Sequence, residues 1–210
     1  MRRVYWLALT LVCFIPAVAY ADSEYAPYTY TELSPNGQYL FVMLAPGKEL
    51  AGEVPYTVSG LYFNDTSTTP LWTVDWWAPA VDVLSDGVHL VRWGEPWAED
   101  TSYEALTFFA NGKMLRAYRI NDLLDTTLGL HVTVSHFVWK KEYVDVPAFD
   151  VNNHTLTLVM GTDEKYIFDY TTGEIISARR PLRAFFTLLA AEVLFVGLLR
   201  FRKWRSAIHT

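Results

Sequence analysis

The stretch FFANGKMLRAY, residues 108–118, decides the fold. On either side of Asn111-Gly112 the side chains alternate, and Asn-Gly accepts the positive φ angles of a tight hairpin turn. The reading is two antiparallel strands, near 103–109 and 113–119. The same punctuation recurs at Asn36-Gly37 in LSPNGQYLFVML, Asp86-Gly87 in LSDGVHLV and Thr172-Gly173 in FDYTTGEII. Between the turns the pattern has period two. HVTVSHFVW (131–139) puts Val132, Val134, His136 and Val138 on one face, and TLTLVM (155–160) groups Leu156, Leu158 and Met160. Residues 121–125 suit one helical turn, and no long helical periodicity precedes residue 182. Twelve short strands result, near 28–33, 38–44, 57–63, 70–76, 80–84, 88–93, 103–109, 113–119, 131–139, 154–160, 165–170 and 174–178. The expected fold class is all-β, an antiparallel meander.

The ends of the chain have a different character. Residues 1–21 have the parts of an export signal: basic Arg2 and Arg3, an apolar run over 4–15, Pro16, then Ala17, Ala19 and Ala21 ahead of Asp22. Cys13, the only cysteine, leaves with that signal, so the exported region 22–178 has no disulfide to rely on. Near the other end, 184–199 reads AFFTLLAAEVLFVGLL, with Glu192 as its one charge. Sixteen helical residues reach about 24 Å, against a hydrocarbon core of about 30 Å. Leu182 and Phe201 lengthen the segment, and Arg183 and Arg200 can extend their stems to the interface. The expectation is a single transmembrane helix over 182–201, with Glu192 as a polar contact for a partner helix. A basic cytoplasmic tail, 202–210, follows it. The β-domain then stands on the extracytoplasmic side of the cell membrane.

Charge divides along the chain in the same way. Residues 22–178 hold 22 Asp plus Glu against 8 Lys plus Arg, a net of −14, while the two ends together carry +8. So acidic a domain is repelled by phosphate backbones, which excludes nucleic acid as a partner. Basic proteins, divalent cations and neutral glycans remain compatible with it.

The segments SPNGQYL, SDGVHLV and FDYTTGEII resemble the inner hairpins of β-propeller blades. LYFNDTSTTPLWTV is similar to blades of quinoprotein-type propellers, in which a turn leads into a strand carrying Trp. The resemblance covers scattered pieces of the chain and carries no functional residues over. It implies three four-stranded blades that break near 78 and 126. Closed propellers typically have four to eight blades. Three leave edges that a protein partner or a second copy of the chain must cover. A bent β-sandwich is the rival architecture.

Candidate sites begin with LWTVDWWAP, residues 71–79. In strand geometry Trp72, Val74 and Trp76 share a face, which reads as core, because each buried ring removes roughly 150–250 Å² from water. Trp77, at the strand's end, joins Trp93 and Trp97, which flank Gly94-Glu95-Pro96. With Glu95, these three form the candidate shelf for a sugar ring or a Pro-rich peptide. His131 and His136 are five apart and point to opposite strand faces, so they cannot share an ion. With no HExxH or Cys/His cluster, neither a metal nor a cofactor is expected. Asp75, Glu95, Glu99, Asp100 and Glu104 could hide a glycosidase-like acid pair, but no catalytic residue is assigned. The expected function is a membrane-anchored, non-enzymatic interaction or scaffold module. The alternative is an envelope polysaccharide-binding protein or glycoside hydrolase using acids near Trp77 and Trp97.

Overall fold

The computed structural model describes residues 26–47, 55–133, 135–141 and 148–181. The expected export signal, the apolar segment 182–201 with Glu192, and the expected cytoplasmic tail lie outside these residues. Among the described residues no helix is long and apolar enough to cross a membrane.

The fold is all-β and antiparallel, with one short helix. Three four-stranded sheets follow one another along the chain. The first holds β1 (Tyr30–Leu33), β2 (Tyr39–Met43), β3 (Gly60–Phe63) and β4 (Trp72–Thr73). The second holds β5 (Ala80–Val83), β6 (His89–Trp93), β8 (Glu104–Ala110) and β9 (Lys113–Arg119). The third holds β11 (Ala148–Asp150), β12 (Thr155–Val159), β13 (Lys165–Asp169) and β14 (Glu174–Arg179). Each is a meander in which strands adjacent in the sheet are also successive within it. A small fourth sheet pairs β7 (Trp97–Ala98) with β10 (Phe137–Val138), and α1 (Ile120–Leu123) follows β9 directly.

Eleven of the twelve expected strands have a counterpart, and the breaks near 78 and 126 fall between sheets. The exception is 131–139. Those residues do not run as one strand: Val132 bridges back to Phe137, and Val138 pairs with Trp97. The alternation was real, but it follows a tight turn, closed by Thr133 N–H donating to the His136 carbonyl at 2.8 Å. The third sheet takes its first strand from 148–150 instead.

The turn chemistry acts as the sequence requires. Asn111 and Gly112 have φ of 50° and 74°, and Ala110 pairs directly with Lys113, which makes a two-residue hairpin of the primed type. Gly112 is needed for a second reason: a Cβ there would lie 2.5 Å from the Thr73 carbonyl oxygen of the first sheet.

The sheets stack face to face, with the second in the middle. One core joins first and second sheets through Phe41, Met43, Leu61, Trp72, Val81, Val83, Leu90 and Phe109. A larger core joins second and third sheets through Val91, Trp93, Leu106, Phe108, Leu156, Leu158, Tyr166 and Phe168, with Ile120, Leu123 and Trp139 closing one end. Hydrogen bonds fix the stacking. Trp72 Nε1 donates to the Gly87 carbonyl at 3.0 Å, and Tyr118 OH donates to the Gly173 carbonyl at 2.7 Å. Covered on both faces, β8 buries Ala105 to Phe109 without interruption. The domain therefore has two unlike ends. The four glycine turns gather at one, where Asn36 Nδ2 donates to the Ser85 carbonyl at 2.9 Å. The opposite end carries the longer connections.

Two substitutions test this packing. Phe108→Ala removes a fully buried ring from the larger core and should cost about 3–5 kcal/mol. Thr107 is fully buried, and its hydroxyl has no hydrogen-bond partner among the described residues. Thr107→Val should therefore stabilise the domain, by about 1 kcal/mol. Urea unfolding followed by tryptophan fluorescence measures both.

Candidate functional site

At the end opposite the glycine turns a cleft of about 170 Å³ opens between Tyr28, Pro79, Ala80, Trp93, Gly94, Pro96 and Lys140. It forms because three separate connections converge there: the approach to β1, the start of β5, and the β6–β7 loop. Gly94 allows the convergence, since a Cβ at that position would sit 1.7 Å from the Glu104 carbonyl oxygen. Tyr28 is tied down by its hydroxyl, which donates to the Pro79 carbonyl at 3.2 Å, and by Trp77, whose Nε1 donates to the Tyr28 carbonyl at 3.0 Å. The Tyr28 and Trp77 rings meet edge to face at 6.0 Å. Tyr28 still leaves 45% of its surface exposed.

Beneath the cleft lies a polar pair. Trp93 Nε1 donates to Asp82 Oδ2 at 2.5 Å, and the Lys140 ammonium lies 5.1 Å from the Trp93 ring centre and 5.8 Å from that of Trp139. Burial pushes the Asp82 carboxyl above its ordinary range, while the Trp93 hydrogen bond and the Lys140 charge pull it down. Glu32 on β1 is pushed up as well, by burial and then by the charge of Asp82. The cleft thus offers aromatic and proline surfaces with one ammonium at its edge, above a carboxylate of raised pKa.

The expected shelf is present only in part. Trp93 lines the cleft but is buried to 4% exposure, with its N–H committed to Asp82. Trp77 stands behind Tyr28 and supports it. Trp97 faces elsewhere: it belongs to β7 and meets His131 edge to face at 6.5 Å. Glu95 contributes its backbone, as acceptor for Trp139 Nε1 at 2.6 Å. Trp72 is core, as expected, while Trp76 is half-buried, stacked between Phe41 and Phe109 under the Arg92 guanidinium at 4.7 Å.

Three residues of this site escaped the sequence reading. Tyr28 falls at the start of an expected strand, where nothing in the local pattern marks it as a site residue. Asp82 sits between Val81 and Val83 in a strand, where alternation alone turns it away from the first core. Lys140 is one of only eight basic residues between 22 and 178, and that scarcity was the available signal.

The acidic residues proposed as a catalytic pair are engaged separately. Glu104 takes a two-pronged ion pair from Arg92, at 2.8 and 2.6 Å. Glu99 lies 3.7 Å from His136 Nε2, and Asp100 accepts from the Ser102 N–H at 2.6 Å. His136 is half-buried, and its Nδ1 meets Ser135 Oγ at 2.7 Å. Among the described residues no three His, Cys, Asp or Glu gather as metal ligands.

Comparison with known protein families, with curated proteins and with solved structures finds no match for this chain. The cleft must be interpreted from its own chemistry.

At the turn end, Asp86 Oδ2 meets His89 Nδ1 at 2.6 Å, and its other oxygen accepts the backbone N–H groups of Val88 and His89. Burial acts to raise the Asp86 carboxyl, but these hydrogen bonds outweigh it and hold the pKa at about 2, against 3.8 ordinarily. The folded value lies below the unfolded one, so the contribution is complete above pH 3.8 and is lost as pH falls towards 2. Asp86→Asn should flatten the stability profile between those two pH values, as read from denaturation midpoints across the range.

Proposed function

We propose that this chain is a membrane-anchored extracytoplasmic β-domain that acts as an interaction module, with its three sheets arranged as propeller-like blades. The observation that carries the reading is the Tyr28–Trp93–Pro96 cleft. It is apolar, rigidly supported and rimmed by one ammonium. At about 170 Å³ it is smaller than the roughly 300 Å³ at which small-molecule pockets begin. Such a cavity suits one inserted side chain better than an enclosed substrate, and exposed aromatic anchors of this kind concentrate binding energy at protein interfaces. The commitment of Glu104 to Arg92 and of Glu99 to His136 weighs against the hydrolase alternative.

The blade reading rests on three successive meanders stacked face to face around two cores. The anchor reading rests on the apolar composition of 182–201 directly after the domain. The partner is a protein, either a second copy of this chain or a different one.

The test is the native mass of the protein extracted from its own membranes in mild detergent. A mass above that of one processed chain is expected. Tyr28→Ala, at a half-exposed position, should weaken the association by about 2 kcal/mol, roughly thirtyfold. A lone monomer whose mass Tyr28→Ala leaves unchanged would sink the proposal.

A further inference from the structure

Both points where the described domain meets the remaining chain lie at the cleft end of the stack. Tyr28 lines the cleft itself. At the other terminus Arg180, one residue before Pro181, is half-buried. Its guanidinium donates to the Asp122 carbonyl and the Tyr166 hydroxyl, and lies 3.5 Å from Asp125 Oδ1. Tyr166 OH in turn donates to the Leu123 carbonyl at 2.7 Å. The direction in which the chain departs is therefore held by α1 and the residues that follow it.

Those following residues form an unusual loop. TTLGLHVT, residues 126–133, contains no Asp, Glu, Lys or Arg, within a region of net charge −14. Its tip is ordered: Leu128 N–H donates to Thr126 Oγ1 at 3.1 Å, Leu130 N–H donates to the Thr127 carbonyl at 3.2 Å, and Gly129 has φ of 92°. Leu130 anchors the loop in the larger core, with 7% exposure. Leu128 instead projects outward with 84% of its surface exposed, and Val132 with 63%. Leu128 is the most exposed large apolar side chain among the described residues. It lies three residues from Asp125, the partner of Arg180, and so beside the exit towards 182–201. Tyr28 and Tyr103, at the same end, are exposed at 45% and 43%.

This loop thus presents leucine and valine to water with no charged residue between them. Aromatic side chains with a polar tip favour the bilayer interface. The surrounding acidity disfavours an anionic lipid surface as the attractor. We infer that the loop 126–133 docks on the membrane, inserting Leu128 and Val132 into the headgroup layer of a zwitterionic leaflet and turning the cleft end of the stack towards the bilayer. This rests on the anchor reading of 182–201. It adds a second contact, which fixes the domain's orientation and directs the cleft to partners lying close to the membrane.

The experiment uses the full chain with Cys13→Ser, reconstituted in phosphatidylcholine–phosphatidylethanolamine vesicles. An environment-sensitive fluorophore is placed at Leu128→Cys or, at the opposite end, at Lys113→Cys. Both positions are exposed and neither has the positive φ that the Asn111-Gly112 turn requires, so neither substitution threatens the fold. The inference expects the probe at 128 to shift to the blue, to lose most of its quenching by iodide, and to be quenched by lipids spin-labelled near the headgroup. The probe at 113 should behave as in water. Equal behaviour at the two positions overturns the docking. Protection of 128 from iodide without quenching by the lipids also overturns it, in favour of a protein contact. Alkaline extraction reports on the anchor separately: a chain that stays with the vesicles while its two probes behave alike retains the anchor and loses the docking. A chain that washes off loses the anchor, and the docking of an anchored domain falls with it.

Discussion

Burial of the second sheet on both faces is the constraint on which the rest of this structure depends. An antiparallel sheet commonly keeps one face for solvent, and its strands then alternate cleanly. Here Phe108 serves the core shared with the third sheet, while Phe109 serves the core shared with the first. Ordinary strand alternation sends these neighbouring phenylalanines to opposite faces of the sheet, and both faces are covered. The cost is concentrated at Thr107, whose hydroxyl is carried into the interior unpaired. Without this double-sided strand the first and third sheets would have nothing in common to pack against.

Stacking three sheets in this way also decides where function can reside. The tight glycine turns at one end bring backbone close to backbone and leave little room for a ligand. At the other end the connections are longer, and they carry the tryptophans, prolines and acidic residues that the sheets do not use. The Tyr28–Trp93 cleft, the Arg180 anchorage and the Leu128 loop all belong to that end. They stand on different connections, yet the stack gathers those connections at one end. The proposed interaction module and its proposed membrane contact both rest on this asymmetry.

The electrostatics fit the same division. Basic residues are scarce, and three of those described serve structural tasks: Arg92 on Glu104 and over Trp76, Arg180 at the chain's exit, Lys140 over the two indoles. Several carboxylates at the stack are held by specific partners: Asp82 by Trp93, Glu104 by Arg92 and Glu164 by Thr162. This distribution leaves a domain with a strong negative field and an uncharged patch at one end, where apolar contact can operate without charge repulsion.

Period-two alternation and four glycine turns were enough to place eleven strands, the breaks between sheets and the all-β class, because hairpins are local and their signals lie within a few residues. Trp72 was legible as core for the same reason: one strand face suffices to predict it. The strand expected over 131–139 failed because alternation does not distinguish a strand from a tight turn whose arms point the same way. The site was harder to read. Trp77, Trp93 and Trp97 were recognised as a group by proximity in sequence, yet only Trp93 lines the cleft, with Trp77 supporting Tyr28 from behind. Asp82, Tyr28 and Lys140 meet there across distances of more than fifty residues. Alternation says which way a side chain points from its own strand and nothing about what arrives opposite it. The chain by itself determined the strands, the turns and the charge division. Only the stacking of sheets decided which residues share the open end, since that depends on contacts between segments that no local pattern connects.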